Sequence, residues 1–212
     1  MKVKICGLTH LADALAAAEA GADLLGFNFY PPSPRYISPA DCAVLTAALR
    51  QRGCRAQLVG VFVNAPAGQV LEILTACGLD LAQFSGDEPP EVLAAVGPRA
   101  FKALRPANAA ALAHSLARYP RRGAEPAWLV DAYRPGEFGG TGQPADWDLA
   151  RELAGQAPIL LAGGLHPQNV AAAARAVRPW GVDVASGVET APGRKDVEKM
   201  QAFIGAARAL EA

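Results

Sequence analysis

Strand-like and helix-like segments alternate along this chain without interruption, and no other feature limits the possible folds as tightly. Short apolar runs stand at residues 2–6, 23–29, 57–63, 79–84, 99–104, 127–132, 158–162 and 182–185. A segment of helical pattern follows each of them: 9–20, 39–52, 66–77, 89–96, 107–119, 146–154, 167–177 and 195–210. Runs such as Asp-Leu-Leu-Gly-Phe-Asn-Phe are apolar almost throughout, the pattern of a strand buried on both faces. No Asn-Gly or Asp-Gly hairpin signal separates neighbouring strands, so strict alternation predicts a parallel sheet. Eight strand-helix units closing on themselves make a (β/α)₈ barrel, and 212 residues is near the lower end of that fold's size. The competing open, doubly wound sheet is disfavoured, because no Gly-x-Gly-x-x-Gly follows the first strand. No boundary divides the chain, and one domain over residues 1–212 is expected.

Composition removes several classes of function. Formal net charge is zero, so no overall field favours nucleic acid or an anionic membrane. The arginines at 50–55 and 118–122 follow helical runs, where cations suit the negative end of the helix dipole. Four cysteines stand at 6, 42, 54 and 77 with no Cys-x-x-Cys pair, and His10, His114 and His166 lack metal-ligand spacing. Free thiols in a reducing compartment are expected, with no metal. The N-terminus has no signal-peptide pattern, and no apolar run approaches the roughly 20 residues of a membrane span. A cytoplasmic location is expected.

Active sites of barrels form at the C-terminal ends of the strands. The residues expected there are Cys6, Asn28 with Arg35, Asn64, Ser85 with Asp87, Arg105, Asp131, Gly163 with Gly164, and Ser186 with Gly187; Asp183 lies inside the last strand. In Lys2–Thr9, Gly7 turns the chain after Cys6 and Thr9 is expected to cap a helix whose dipole would lower the thiol pKa. The same position also suits a buried apolar thiol. Cys6 and Asp131 stand on opposite sides of the mouth, an arrangement suited to acid/base isomerisation; a strand-end turn is the other role open to Asp131. Gly163-Gly164 and Ser186-Gly187 follow strands seven and eight, whose loops commonly bind phosphate through backbone N–H groups. Arg35 lies in the proline-stiffened loop 30–36. It suits bidentate binding of a carboxylate, although spacing alone reads it as a surface residue.

Seven motifs, in order, carry a family resemblance. They are Lys4-Ile-Cys-Gly-Leu-Thr9, Gly26-Phe-Asn-Phe-Tyr-Pro-Pro-Ser-Pro-Arg-Tyr36, Val59-Gly-Val-Phe-Val-Asn64, Leu129-Val-Asp-Ala132, Gly139-Gly-Thr-Gly142, Ala162-Gly-Gly-Leu165 with Pro167-x-Asn169, and Val182-Asp-Val-Ala-Ser-Gly-Val-Glu189. Together they resemble the phosphoribosylanthranilate isomerases of tryptophan biosynthesis over nearly the whole chain. The resemblance implies an Amadori rearrangement of N-(5-phosphoribosyl)anthranilate with no cofactor. It implies Cys6 as general base, Asp131 as general acid, Arg35 on the anthranilate carboxylate, and Gly163, Gly164, Ser186 and Gly187 around the phosphate. Asp183 would support the sugar hydroxyls or the surroundings of the site. The chemistry then asks for a thiol lowered toward neutrality and a carboxyl raised toward it. A phosphosugar substrate is the only partner implied, with the protein a monomer or a homodimer.

One departure stands out. The family usually reads Gln-Leu-His-Gly at the end of strand four, and here it is Gln83-Phe-Ser-Gly86. Ser85 puts in doubt any part that histidine plays in positioning the substrate or tuning the thiol. Two other readings stay open: a related ketol isomerase of histidine biosynthesis, which typically uses two aspartates, and a non-catalytic phosphosugar-binding relative.

Overall fold

A computed structural model describes residues 1–132 and 146–209. Its eight parallel strands are β1 (Lys2–Ile5), β2 (Leu24–Asn28), β3 (Gln57–Phe62), β4 (Leu81–Phe84), β5 (Ala100–Leu104), β6 (Trp128–Val130), β7 (Ile159–Leu161) and β8 (Gly181–Val184). Each pairs with the next, and β1 also pairs with β8, so the sheet closes into a barrel. The (β/α)₈ expectation holds.

The helices are α1 (Leu11–Glu19), α2 (Pro39–Gln51), α3 (Ala67–Ala76), α4 (Pro90–Val96), α5 (Ala109–Arg118), α6 (Trp147–Ala154), α7 (Val170–Val177) and α8 (Val197–Arg208). Several carry the capping chemistry of their sequence. Ser38 accepts from the Asp41 N–H with Pro39 in the first turn, and Asp146 accepts from the N–H groups of Asp148 and Leu149. Thr9 does not cap α1. His10 holds that position with no side-chain cap, while the Thr9 hydroxyl donates to the Gly193 carbonyl, 2.7 Å away. A second departure lies between β8 and α8. Glu189–Ala191 (β9) and Arg194–Lys195 (β10) form a small antiparallel hairpin that the sequence reading missed.

Alternation along the strands divides the apolar residues into two layers. Val3, Ile5, Phe27, Leu58, Phe62 and Phe84 point outward into the layer under the helices. Leu24, Val59, Leu81, Phe101, Ala103, Leu129, Leu160 and Ala162 fill the barrel interior. Each large apolar side chain buried in this way contributes roughly 1.5–3 kcal/mol. The interior is not wholly apolar, because Lys4, Gln83 and Asp183 point inward and are buried.

A buried ion pair holds the loop after β4. The Lys102 ammonium reaches Glu88 Oε2 at 2.6 Å, and Glu88 Oε1 accepts from the N–H groups of Asn64 and Gly86. Glu88→Ala leaves a buried ammonium without its carboxylate and two N–H groups without their acceptor. It is expected to lower stability by about 3–5 kcal/mol, read as a lower midpoint in urea denaturation at an unchanged slope.

Candidate active site

Cys6 follows β1 directly and points inward, as Lys4 does two residues earlier. Its backbone N–H donates to Val184 of β8. A Cβ on Gly26 would lie only 2.8 Å from Cys6 Sγ, so the thiol packs against a stretch of β2 that has no side chain. Helix α1 begins only at Leu11, five residues on, and the expected influence of its dipole on the thiol is replaced by something else. Burial pushes the Cys6 thiol up; Lys4 and Lys195 pull it down, and Asp183 adds to the rise. The net shift is upward, opposite to the expectation from sequence.

Asp131 follows β6. Its backbone N–H donates to Leu104, and its Oδ1 accepts from the Ala132 N–H at 2.8 Å. Burial lifts its carboxyl to about 6, with the charge of Asp183 adding to the rise and the Ala132 N–H, Arg105 and Lys4 opposing it. This shift has the expected direction. Asp183 stands beneath both groups and bonds Lys4 Nζ at 2.8 Å, so the thiol and the carboxyl share one buried ion pair.

The loop after β2 is tied down by its own polar residues. Asn28 Oδ1 accepts from the Tyr30 N–H, Asn28 Nδ2 donates to the Ser33 hydroxyl, and that hydroxyl accepts from the Arg35 N–H. Arg35 is not a solvated surface residue. Its Nε and Nη2 form a fork on Glu189 at 2.9 and 2.8 Å. Lys195 Nζ also reaches Glu189, at 2.8 Å, and the Ala185 carbonyl at 3.0 Å. Burial would raise the Glu189 carboxyl, but Arg35 and Lys195 hold it below the ordinary carboxylate range.

Gly163 and Gly164 both have positive φ, 89° and 60°, a conformation that side chains resist. Asn169 fixes the turn that follows, with its Nδ2 donating to the Gly164 carbonyl and its Oδ1 accepting from the His166 N–H. A Cβ on Gly187 would collide with the Leu165 carbonyl, so the loops after β7 and β8 touch. The four residues expected at the phosphate therefore lie on adjoining loops. Ser85 is buried, and its hydroxyl accepts from Gln83 Nε2 at 3.1 Å. Among the described residues, no group of His, Cys, Asp and Glu forms a metal-binding cluster. No helix among them is long and apolar enough to cross a membrane. The Gly139-Gly-Thr-Gly142 motif lies outside the described residues.

A model of the N-(5'-phosphoribosyl)anthranilate isomerases matches residues 3–206 of this chain. The chain belongs to this family. A curated isomerase of that name from Myxococcus xanthus is 48% identical, over 99% of this chain and 97% of its own length. The crystal structure of the Thermotoga maritima isomerase superposes with a TM-score of 0.86 at 36% identity, covering 99% of both chains. A further crystal structure holds a phosphoribosylanthranilate isomerase in complex with reduced 1-(o-carboxyphenylamino)-1-deoxyribulose 5-phosphate. It matches with a TM-score of 0.83, at 36% identity and 99% coverage of both chains.

Three charged residues beside the candidate site escaped the sequence reading: Lys4, Glu189 and Lys195. Lys4 and Glu189 lie inside motifs that carry the resemblance. Nothing local links Lys4 to Asp183, 179 positions away, or Glu189 to Arg35, 154 positions away.

Proposed function

We propose that Cys6 is the general base and Asp131 the general acid of this chain's isomerisation of N-(5'-phosphoribosyl)anthranilate to 1-(2-carboxyphenylamino)-1-deoxyribulose 5-phosphate. As a member of its family, the chain is an intramolecular isomerase of tryptophan biosynthesis. The protonated Asp131 carboxyl gives its proton to the furanose ring oxygen, and the C1–O bond breaks to leave a Schiff base. The Cys6 thiolate takes the proton from C2, which yields an enolamine; this becomes the ketone as C1 gains a proton from the Cys6 thiol and the C2 hydroxyl gives one up to the Asp131 carboxylate, so both groups end as they began. Every proton has a source and a destination, and no electron is gained or lost overall.

The remaining residues bind and orient. Arg35 holds the anthranilate carboxylate, with Glu189 fixing the guanidinium in the barrel mouth. The N–H groups of Gly163, Gly164, Ser186 and Gly187 hold the phosphate, where a side chain on Gly187 has no room. Asp183 acts through Lys4, beneath the reacting groups. The observation that carries this reading is the carboxyl at about 6 standing with a cysteine over one shared ion pair. A carboxyl raised into this range can act as an acid near neutral pH. The four free cysteines accord with a cytoplasmic enzyme.

The test is turnover of freshly prepared phosphoribosylanthranilate, followed by loss of its fluorescence. Conversion is expected. A folded protein that binds the reduced product analogue without turning the substrate over is a sensor. One that converts only a bis-phosphorylated aminoaldose is the histidine-pathway type of isomerase.

A further inference from the structure

We propose that Lys4 is a positioning residue whose ammonium, anchored on Asp183, stabilises the thiolate form of Cys6. The proposal rests on the reading of Cys6 as the base. Cys6 lies two residues beyond Lys4 and continues the alternation of β1, so both point into the barrel, and Lys4 is wholly buried. An ammonium is almost never fully buried unless paired. The register of β1 against β8 sets Lys4 beside Asp183, and the ion pair closes at 2.8 Å. That bond uses one of the three ammonium protons, and the next inward group on the strand is the Cys6 thiol.

The charges around the thiol point the same way. Lys4 comes from β1, Asp183 from β8, Lys195 from β10, Arg35 from the loop after β2, and Glu189 from β9. Arg105 with Asp87, and Asp131, complete the mouth. The Arg105–Asp87 pair is neutral. The other fixed groups are three cations (Lys4, Lys195, Arg35) against two carboxylates (Asp183, Glu189), an excess of one positive charge. One further anion balances the cluster, on either Cys6 or Asp131. A proton passing from the thiol to Asp131 therefore leaves the total charge unchanged and produces the thiolate and carboxylic acid together. The influence of Lys4 on the Cys6 titration is consistent with this geometry. A merely structural Lys4 would contribute to folding and leave the thiol's titration where it is.

The test follows iodoacetamide alkylation of Cys6 against pH in the folded protein without substrate, with the site read by peptide mass spectrometry. It requires no turnover, so its failure is distinct from failure of the functional reading. Two variants are compared with the parent: Lys4→Gln, which keeps a donor toward Asp183, and Lys4→Met/Asp183→Asn, which leaves no unpaired charge. In Lys4→Gln the alkylation midpoint is expected to rise by about one pH unit, with the rate at pH 7 falling about tenfold. The double variant also removes the Asp183 charge that raises the thiol, so its midpoint is expected to lie below that of Lys4→Gln. An unchanged midpoint in folded Lys4→Gln overturns the proposal. The parent protein supplies a measurement that needs no variant: the Lys4 ¹⁵Nζ resonance is expected to shift at the pH where Cys6 titrates, and a flat trace there overturns it equally.

Discussion

Replacing Cys6 by serine is expected to lower kcat about 10³-fold, within the range that one positioned acid or base contributes, with little change in KM. Serine is nearly the same size, so it fits where Sγ lies against Gly26. Its hydroxyl holds its proton far more tightly than a thiol, so the population able to accept the C2 proton collapses. The groups proposed to hold the substrate ends, at Arg35 and on the loops after β7 and β8, are untouched, and binding is expected to persist. The check is steady-state kinetics beside circular dichroism of the folded variant. Turnover within tenfold of the parent removes Cys6 from the base role and leaves the activity to another residue. Loss of binding together with turnover would instead mean that the thiol shapes the pocket.

How much of this site was legible in the sequence follows from which contacts are local. The barrel was readable because each strand is buried on both faces, and such burial leaves apolar runs like Leu24–Asn28 that stand out between helices. The ends of those strands were readable too, which located Cys6, Asp131, Gly163-Gly164 and Ser186-Gly187. Lys4 was not, since a lysine in a strand ordinarily marks a solvent-facing position, and only the closure of β1 on β8 buries it beside Asp183. Arg35 was placed in the correct loop, but its fixed orientation depends on Glu189 in a hairpin 154 residues away. The sign of the Cys6 shift was lost for a related reason. Sequence suggested a helix N-terminus beside the thiol, whereas Gly7 to His10 keep α1 away and leave burial as the largest influence.

The raised thiol gives the pH profile an unusual assignment. Catalysis as proposed needs the Cys6 thiolate and the Asp131 carboxylic acid at once. Asp131 titrates at about 6 and Cys6 above the ordinary thiol range, so between those values most molecules carry the opposite pair, thiol and carboxylate. The active minority is constant across that window, because each rise in thiolate is offset by an equal loss of carboxylic acid. Below the Asp131 value the carboxyl is fully protonated, and the rate falls with the thiolate population, about tenfold per pH unit. Above the Cys6 value the thiolate is complete, and the rate falls as the carboxylic acid disappears. The profile of kcat/KM is therefore a bell whose acid limb breaks near 6 through Asp131, although Asp131 is the acid and not the base. The apparent values belong to the coupled pair. Asp131→Asn is expected to lower kcat/KM about 10²–10⁴-fold and to abolish both the break near 6 and the alkaline decline. The residual rate then follows the thiolate alone, rising with pH to a plateau. A bell of unchanged shape in Asp131→Asn would show that another group supplies the ring-oxygen proton. A profile that loses only its alkaline limb, with the acid break still near 6, would place a different titrating group beside Cys6.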